Sequence, residues 1–201
     1  MRIMKQTILL LLTLLGIATT RVQAQGTVVY DQESSTDEAS PFSGVAIQFY
    51  GSVGQSFTPS FNAVGFVRLR YFDITPGNSL GAVLTVKVHA NAINGPILGT
   101  ATPVSLSDGF IGSVNFYFPS AIPVAPNSTY FLETLVQSGD NWGTRIVGDI
   151  YSGGNFYGGT SPITGNDLWF REDIVVPEPC SVLLFVMGSS VAGWFIRRKR
   201  R

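Results

Sequence analysis

Ala82-Val83-Leu84-Thr85-Val86-Lys87-Val88-His89-Ala90 decides the fold. Its residues alternate, and a side-chain period of two belongs to a strand with one buried face. Leu84, Val86 and Val88 point one way; Thr85, Lys87 and His89 point the other, toward solvent. The same period recurs on both sides. In Val64–Ile74, Val67, Leu69 and Tyr71 oppose Arg68 and Arg70; Gly109–Phe118 aligns Val114, Phe116 and Phe118; Ser128–Gln137 aligns Tyr130, Leu132, Thr134 and Val136. Thr75-Pro76-Gly77-Asn78 and Asn94-Gly95-Pro96 read as turns. Thr27–Tyr30 reads as a short strand, Asp31–Ser40 as a surface loop, and Phe42–Thr58 as one or two short strands broken by bends. Trp142–Ile150 and Asp167–Ile174 complete the set, around a glycine-rich loop over Tyr151–Gly165. Strands every ten to fifteen residues, with no sustained helical period, predict an all-β fold: a single jelly-roll-like β-sandwich.

The two ends depart from this pattern. Arg2 and Lys5 precede the apolar run Ile8–Ile17, and Val22-Gln23-Ala24 puts small residues at −3 and −1 before Gln25. Residues 1–24 therefore read as a signal-peptide helix, cut by signal peptidase between Ala24 and Gln25. At the other end, residues 176–201 open on Pro177-Glu178-Pro179. Residues 180–196 follow without a charged side chain, and then come Arg197, Arg198, Lys199, Arg200 and Arg201. Seventeen helical residues would span roughly 25 Å, at the short end for a transmembrane helix. Five consecutive cations fix that end in the cytoplasm, so residues 25–175 are expected outside.

That exported part retains five of the thirteen cations and twelve of the thirteen acids, a formal charge of −7. An acidic domain repels phosphate backbones, which argues against nucleic acid as a partner. The lone cysteine, Cys180, lies in the tail, so the domain can form no internal disulfide.

The tail resembles the PEP-CTERM sorting signal in Val176-Pro177-Glu178-Pro179, the apolar run and the basic end. Cys180 stands where that family often has a small residue, a tolerated variant or a lipidation point. The resemblance implies recognition by an exosortase-type enzyme, removal of the tail, transit through the inner membrane, delivery to the cell surface or extracellular matrix, and an exopolysaccharide and biofilm setting. A permanent membrane anchor is the alternative. The domain is similar to exported "choice-of-anchor" sandwiches in Gln55-Ser56-Phe57-Thr58-Pro59, Ser128-Thr129-Tyr130, Tyr151-Ser152-Gly153-Gly154 and Asp167-Leu168-Trp169-Phe170-Arg171.

Candidate chemistry is sparse. Zinc needs clustered His or Cys, and a Ser-His-Asp triad would have to use His89, the only histidine. Glu133, Asp140, Asp149, Asp167, Glu172 and Asp173 could supply paired carboxylates, the basis of an alternative reading as a secreted carbohydrate-active hydrolase. Calcium takes six to eight oxygens, and Asp31, Glu33, Asp140, Asn141 and Asp167, in or beside loops, are the candidate ligands for a structural ion. Trp142, Tyr151, Tyr157 and Trp169 are the candidate polysaccharide-binding residues, because aromatic faces stack on sugar rings. Tyr151 and Tyr157 are the expected surface pair, and a core role is the competing reading for the two tryptophans. The expected function is non-catalytic: structural, adhesive or polysaccharide-binding.

Overall fold

In this computed structural model the described residues are 27–38 and 43–176. Val28–Val175 forms one compact unit. The signal-peptide and sorting-tail readings lie outside the described residues, apart from Val176 at the end of the last strand. Among the described residues no helix is long and apolar enough to cross a membrane.

Two seven-stranded sheets make up the body. Strands are numbered in chain order. The first sheet holds β1 (Thr27–Glu33), β2 (Gly44–Ala46), β4 (Ala63–Asp73), β8 (Ile111–Pro123), β10 (Trp142–Gly148), β13 (Asn166–Leu168) and β14 (Phe170–Val176). The second holds β3 (Val53–Phe57), β5 (Ala82–Ala90), β6 (Ile97–Thr100), β7 (Val104–Leu106), β9 (Tyr130–Gly139), β11 (Phe156–Gly158) and β12 (Ser161–Ile163). In the first sheet β4 runs antiparallel to β8 along most of its length, and also pairs with β14 and β10. In the second, β9 lies between β3 and β5, antiparallel to both.

Alternation builds the core. Val67, Leu69 and Tyr71 of β4 are fully buried, as are Leu84, Val86 and Val88 of β5, and all belong to one hydrophobic cluster with Leu132, Phe116 and Phe170. Each such side chain contributes about 1.5–3 kcal/mol by leaving water. A hydrogen bond of 2.7 Å between the Tyr71 and Thr134 hydroxyls ties the two sheets together within this core.

Several local expectations change. His89 is not solvent-facing: it is 4% exposed. Its Nδ1 lies 2.9 Å from the Gly95 carbonyl and its Nε2 3.1 Å from Glu133 Oε2, because the β5–β6 loop folds back over this end of the strand. Phe42–Thr58 contains a one-turn helix, α1 (Ile47–Tyr50), closed by Gly51 at φ 78°. The helix leaves Phe49 80% exposed and aims Gln48 at the next layer, where Gln48 Oε1 accepts from Trp142 N. The glycine-rich stretch contains the β11–β12 hairpin, which adds to β3. Three-residue strands are too short to show a period in sequence.

Gly54 tests the packing. A Cβ there would sit 2.1 Å from the Leu132 carbonyl oxygen and 2.4 Å from Ile93 Cδ1, whereas one on Gly148 meets nothing within 4 Å. Gly54→Ala is expected to cost about 1–3 kcal/mol or more in urea unfolding, as overpacking does, and Gly148→Ala to stay within about 0.5 kcal/mol of wild type.

Candidate functional site

The outer face of the first sheet collects the charge chemistry. Arg68 and Arg70 alternate outward from β4, Arg145 from β10, and Trp169 and Arg171 from the β13–β14 run. All four arginines of residues 25–175 thus lie on one face of a domain whose formal charge is −7. The segment Ser34–Glu38, expected to be a free surface loop, is laid across them as a strap. Ser34 pins its start: Oγ donates to the Leu168 carbonyl at 2.7 Å and accepts from Phe170 N at 3.0 Å. Glu38 takes Arg68 bidentately, at 3.1 and 2.8 Å. The Asp37 carbonyl accepts from Arg145 at 2.6 Å, Trp169 Nε1 at 3.0 Å and Arg70 at 3.5 Å. The Arg171 guanidinium lies 5.3 Å from the Trp169 ring and 5.1 Å from the Tyr30 ring, while its Nε donates to the Ser35 carbonyl. The Arg68 hydrogen bond holds the Glu38 carboxyl below its usual range, and desolvation lowers Arg70.

Three of the four candidate aromatics are therefore not a ligand platform. Trp169 lies under the strap and Trp142 in the core, both at 0% exposure. Tyr151 is buried too. Its hydroxyl accepts from Thr58 N at 3.1 Å and donates to Gln32 Oε1 at 2.9 Å, and burial pushes its pKa up to about 12. Tyr157 alone sits half-buried, on the outer face of the second sheet opposite Gly54. Its ring packs edge-on against Phe131 at 5.6 Å. On the same face, across Gly54 of β3, Lys87 Nζ pairs with Glu133 Oε2 at 3.2 Å, on the Lys87–Glu133 register of β5 and β9. A half-buried tyrosine ring can stack on a sugar ring, and its hydroxyl can hydrogen-bond a sugar hydroxyl.

The calcium candidates are dispersed. Asp167, expected at the start of the last strand beside a loop, is on β13 and fully buried; its Oδ1 accepts from Gln55 Nε2 and its Oδ2 from Ile150 N and Tyr151 N. Gln55 completes this joint by accepting from Leu168 N. Asp140 accepts from Thr75 Oγ1, Asn78 Nδ2 and Asn141 N, bonds that hold its pKa down, with Thr75 the largest influence. Asp73 and Asp108 cap neighbouring amides of the same loop region, a grouping that spacing in sequence does not reveal. Glu33 pairs with Arg171 at 3.2 Å. Asp31 is on β1 and caps Ser60 N and Phe61 N. Among the described residues no three His, Cys, Asp or Glu side chains are grouped to hold a metal ion.

Sequence reasoning missed the pairing of Asp31 with Glu172. Glu172 is fully buried, and the Asp31 carboxyl lies within hydrogen-bonding reach of it. The carboxyls on β14 were legible as candidates, but the partner on β1 is 141 positions away.

No protein-family model matches the chain, and no curated protein matches it. Among solved structures, one titled "Structure of infectious bursal disease virus Gx strain" is 13% identical over 78% of this chain, with a TM-score of 0.25. The matched region spans 41% of that chain.

The relative worth of the strap contacts is measurable. Exposed ion pairs contribute up to about 1 kcal/mol, whereas removing a buried tryptophan costs about 3–5 kcal/mol. Chemical denaturation of Arg68→Ala and Trp169→Ala is expected to show that ordering. Equal losses would mean that charge rather than packing holds the strap.

Proposed function

We propose that the chain is an exported, non-catalytic surface or extracellular-matrix protein with a jelly-roll body. On this reading signal peptidase removes residues 1–24, and an exosortase-type enzyme recognises Pro177-Glu178-Pro179 and removes the tail. The observation that carries it is the order of parts after Ile174: the Pro-Glu-Pro element, then residues 180–196 without charge, then Arg197–Arg201. A run of that kind backed by cations has one favourable orientation in a bilayer, with the acidic body outside.

The polar arrangement of the body supports a structural or adhesive role. Asp167, Asp140, Trp169 and Tyr151 are engaged in internal hydrogen bonds, and both ring nitrogens of His89 face acceptors. A calcium ion held by the expected set is not part of this reading, because those side chains are spread over separate joints. Polysaccharide contact is assigned to the Tyr157 face of the second sheet, where the ring is half-buried against Phe131.

Intact mass of the protein recovered from the cell surface and medium tests the sorting. Loss of residues 1–24 and of the residues after Pro179 is the expected outcome. A mass that retains Arg197–Arg201 would favour the permanent anchor. For the binding face, Tyr157→Ala is expected to weaken retention on exopolysaccharide by about 1 kcal/mol, the scale of one aromatic contact, with an unchanged unfolding midpoint.

A further inference from the structure

Glu172 poses a problem of charge. It stands on β14 opposite Val67, so it points to the inner face, and it is 0% exposed. Among the described residues neither of its oxygens has a hydrogen-bond donor. The polar group beside it is another acid. Asp31 of β1 lies in reach, and its carboxylate already accepts from Ser60 N at 2.7 Å, Phe61 N at 2.9 Å and Gln32 Nε2 at 3.1 Å. Three N–H donors stabilise a negative charge on Asp31. Two touching carboxylates cannot both ionise in a buried place, and one proton resolves the conflict. It converts Glu172 into a donor and gives Asp31 a fourth hydrogen bond.

We propose that Glu172 keeps its proton at neutral pH and donates it in a hydrogen bond to the Asp31 carboxylate, forming a latch between β14 and the edge strand β1 that alkaline solution opens. The groups around it agree. From β1 the facing charge is Asp31. From the segment after β10 it is Tyr151, a phenol kept neutral by burial. From β4 the paired residue is Val67, which carries none. On β14 itself Asp173 is also fully buried with no hydrogen-bond donor among the described residues, and burial pushes it up to about 8, while Arg171, on the opposite face, is taken by Ser35 and Glu33. Burial foremost, then Asp31, pushes Glu172 up to about 9 from 4.5.

The sign follows from the raised value. Below about pH 4.5 the folded and unfolded chains both hold this proton, and the contribution of the latch is complete. As pH rises the unfolded chain releases the proton first, stability falls, and the contribution is gone above about 9. Because β1 is at the end of its sheet, opening there exposes an edge rather than dissolving the core.

The test uses the full chain. Infrared spectroscopy reads protonated carboxyl groups, and backbone hydrogen exchange of residues 27–33, corrected for intrinsic rates and compared with residues 82–90, reads the opening. A protonated carboxyl signal is expected at pH 7, diminished in Glu172→Gln and titrating at lower pH in Asp31→Asn. Exchange in 27–33 is expected to rise about a hundredfold between pH 7 and 10 in wild type, about one decade per pH unit until the raised value near 9 is passed, and by clearly less in Glu172→Gln, where Asp173 is left to titrate. An unchanged carboxyl signal in Glu172→Gln would overturn the proposal. So would stabilisation of wild type by calcium chloride, reversed by chelator, since the pair would then hold a cation instead of a proton; this arm needs no variant to fold.

Discussion

The packing of β4 against β5 and β9, with the Tyr71–Thr134 hydrogen bond inside it, orders the rest of the domain. A strand can bury one face only by sending every second residue to the other. Once Val67, Leu69 and Tyr71 turn inward, Arg68 and Arg70 must turn outward, and once Leu132 and Thr134 turn inward, Glu133 must follow the arginines' rule on its own sheet. The charged faces are therefore consequences of the core. What the protein adds is a cover for each of them: the Ser34–Glu38 strap over the arginines, and the β5–β6 loop over His89.

Closing the sandwich requires polar groups to be met wherever strands stop pairing. Asp167 and Gln55 do this between β13, β3 and the chain entering the hairpin, and Asp31 does it for the amides of Ser60 and Phe61. An orphaned buried amide costs about 1–3 kcal/mol, comparable with a large share of a domain's net stability. These side chains are thus fixed by the demands of the backbone before any ligand is considered. The pairing of Glu172 with Asp31 differs, because it satisfies two acids only by holding a proton.

The strands with a clean period were legible. Ala82–Ala90, Val64–Ile74 and Ser128–Gln137 match β5, β4 and most of β9 because burial of one face writes itself into composition. The outward residues were harder. His89 alternates like a solvent residue, yet the following loop, carrying Gly95 six positions on, covers it. Tyr151 reads as a surface residue because it adjoins glycines, and Trp169 is open between core and surface; the end of β1 and the strap reach them from over a hundred positions away. Contacts at that separation leave no local trace. The hairpin β11–β12 and the helix α1 were too short for any period, and the reading of the two ends as processing signals concerns residues outside the described ones.

The domain has a closed interior whose aromatic and acidic side chains serve the fold, leaving Tyr157 as the proposed polysaccharide contact. Tryptophan fluorescence measures that closure most directly. In a Trp194→Phe chain, emission comes from Trp142 and Trp169 alone. The account expects blue-shifted emission that iodide does not quench and exopolysaccharide does not alter. Red-shifted, quenchable emission that changes on adding polysaccharide would place the tryptophans at a binding surface and contradict it.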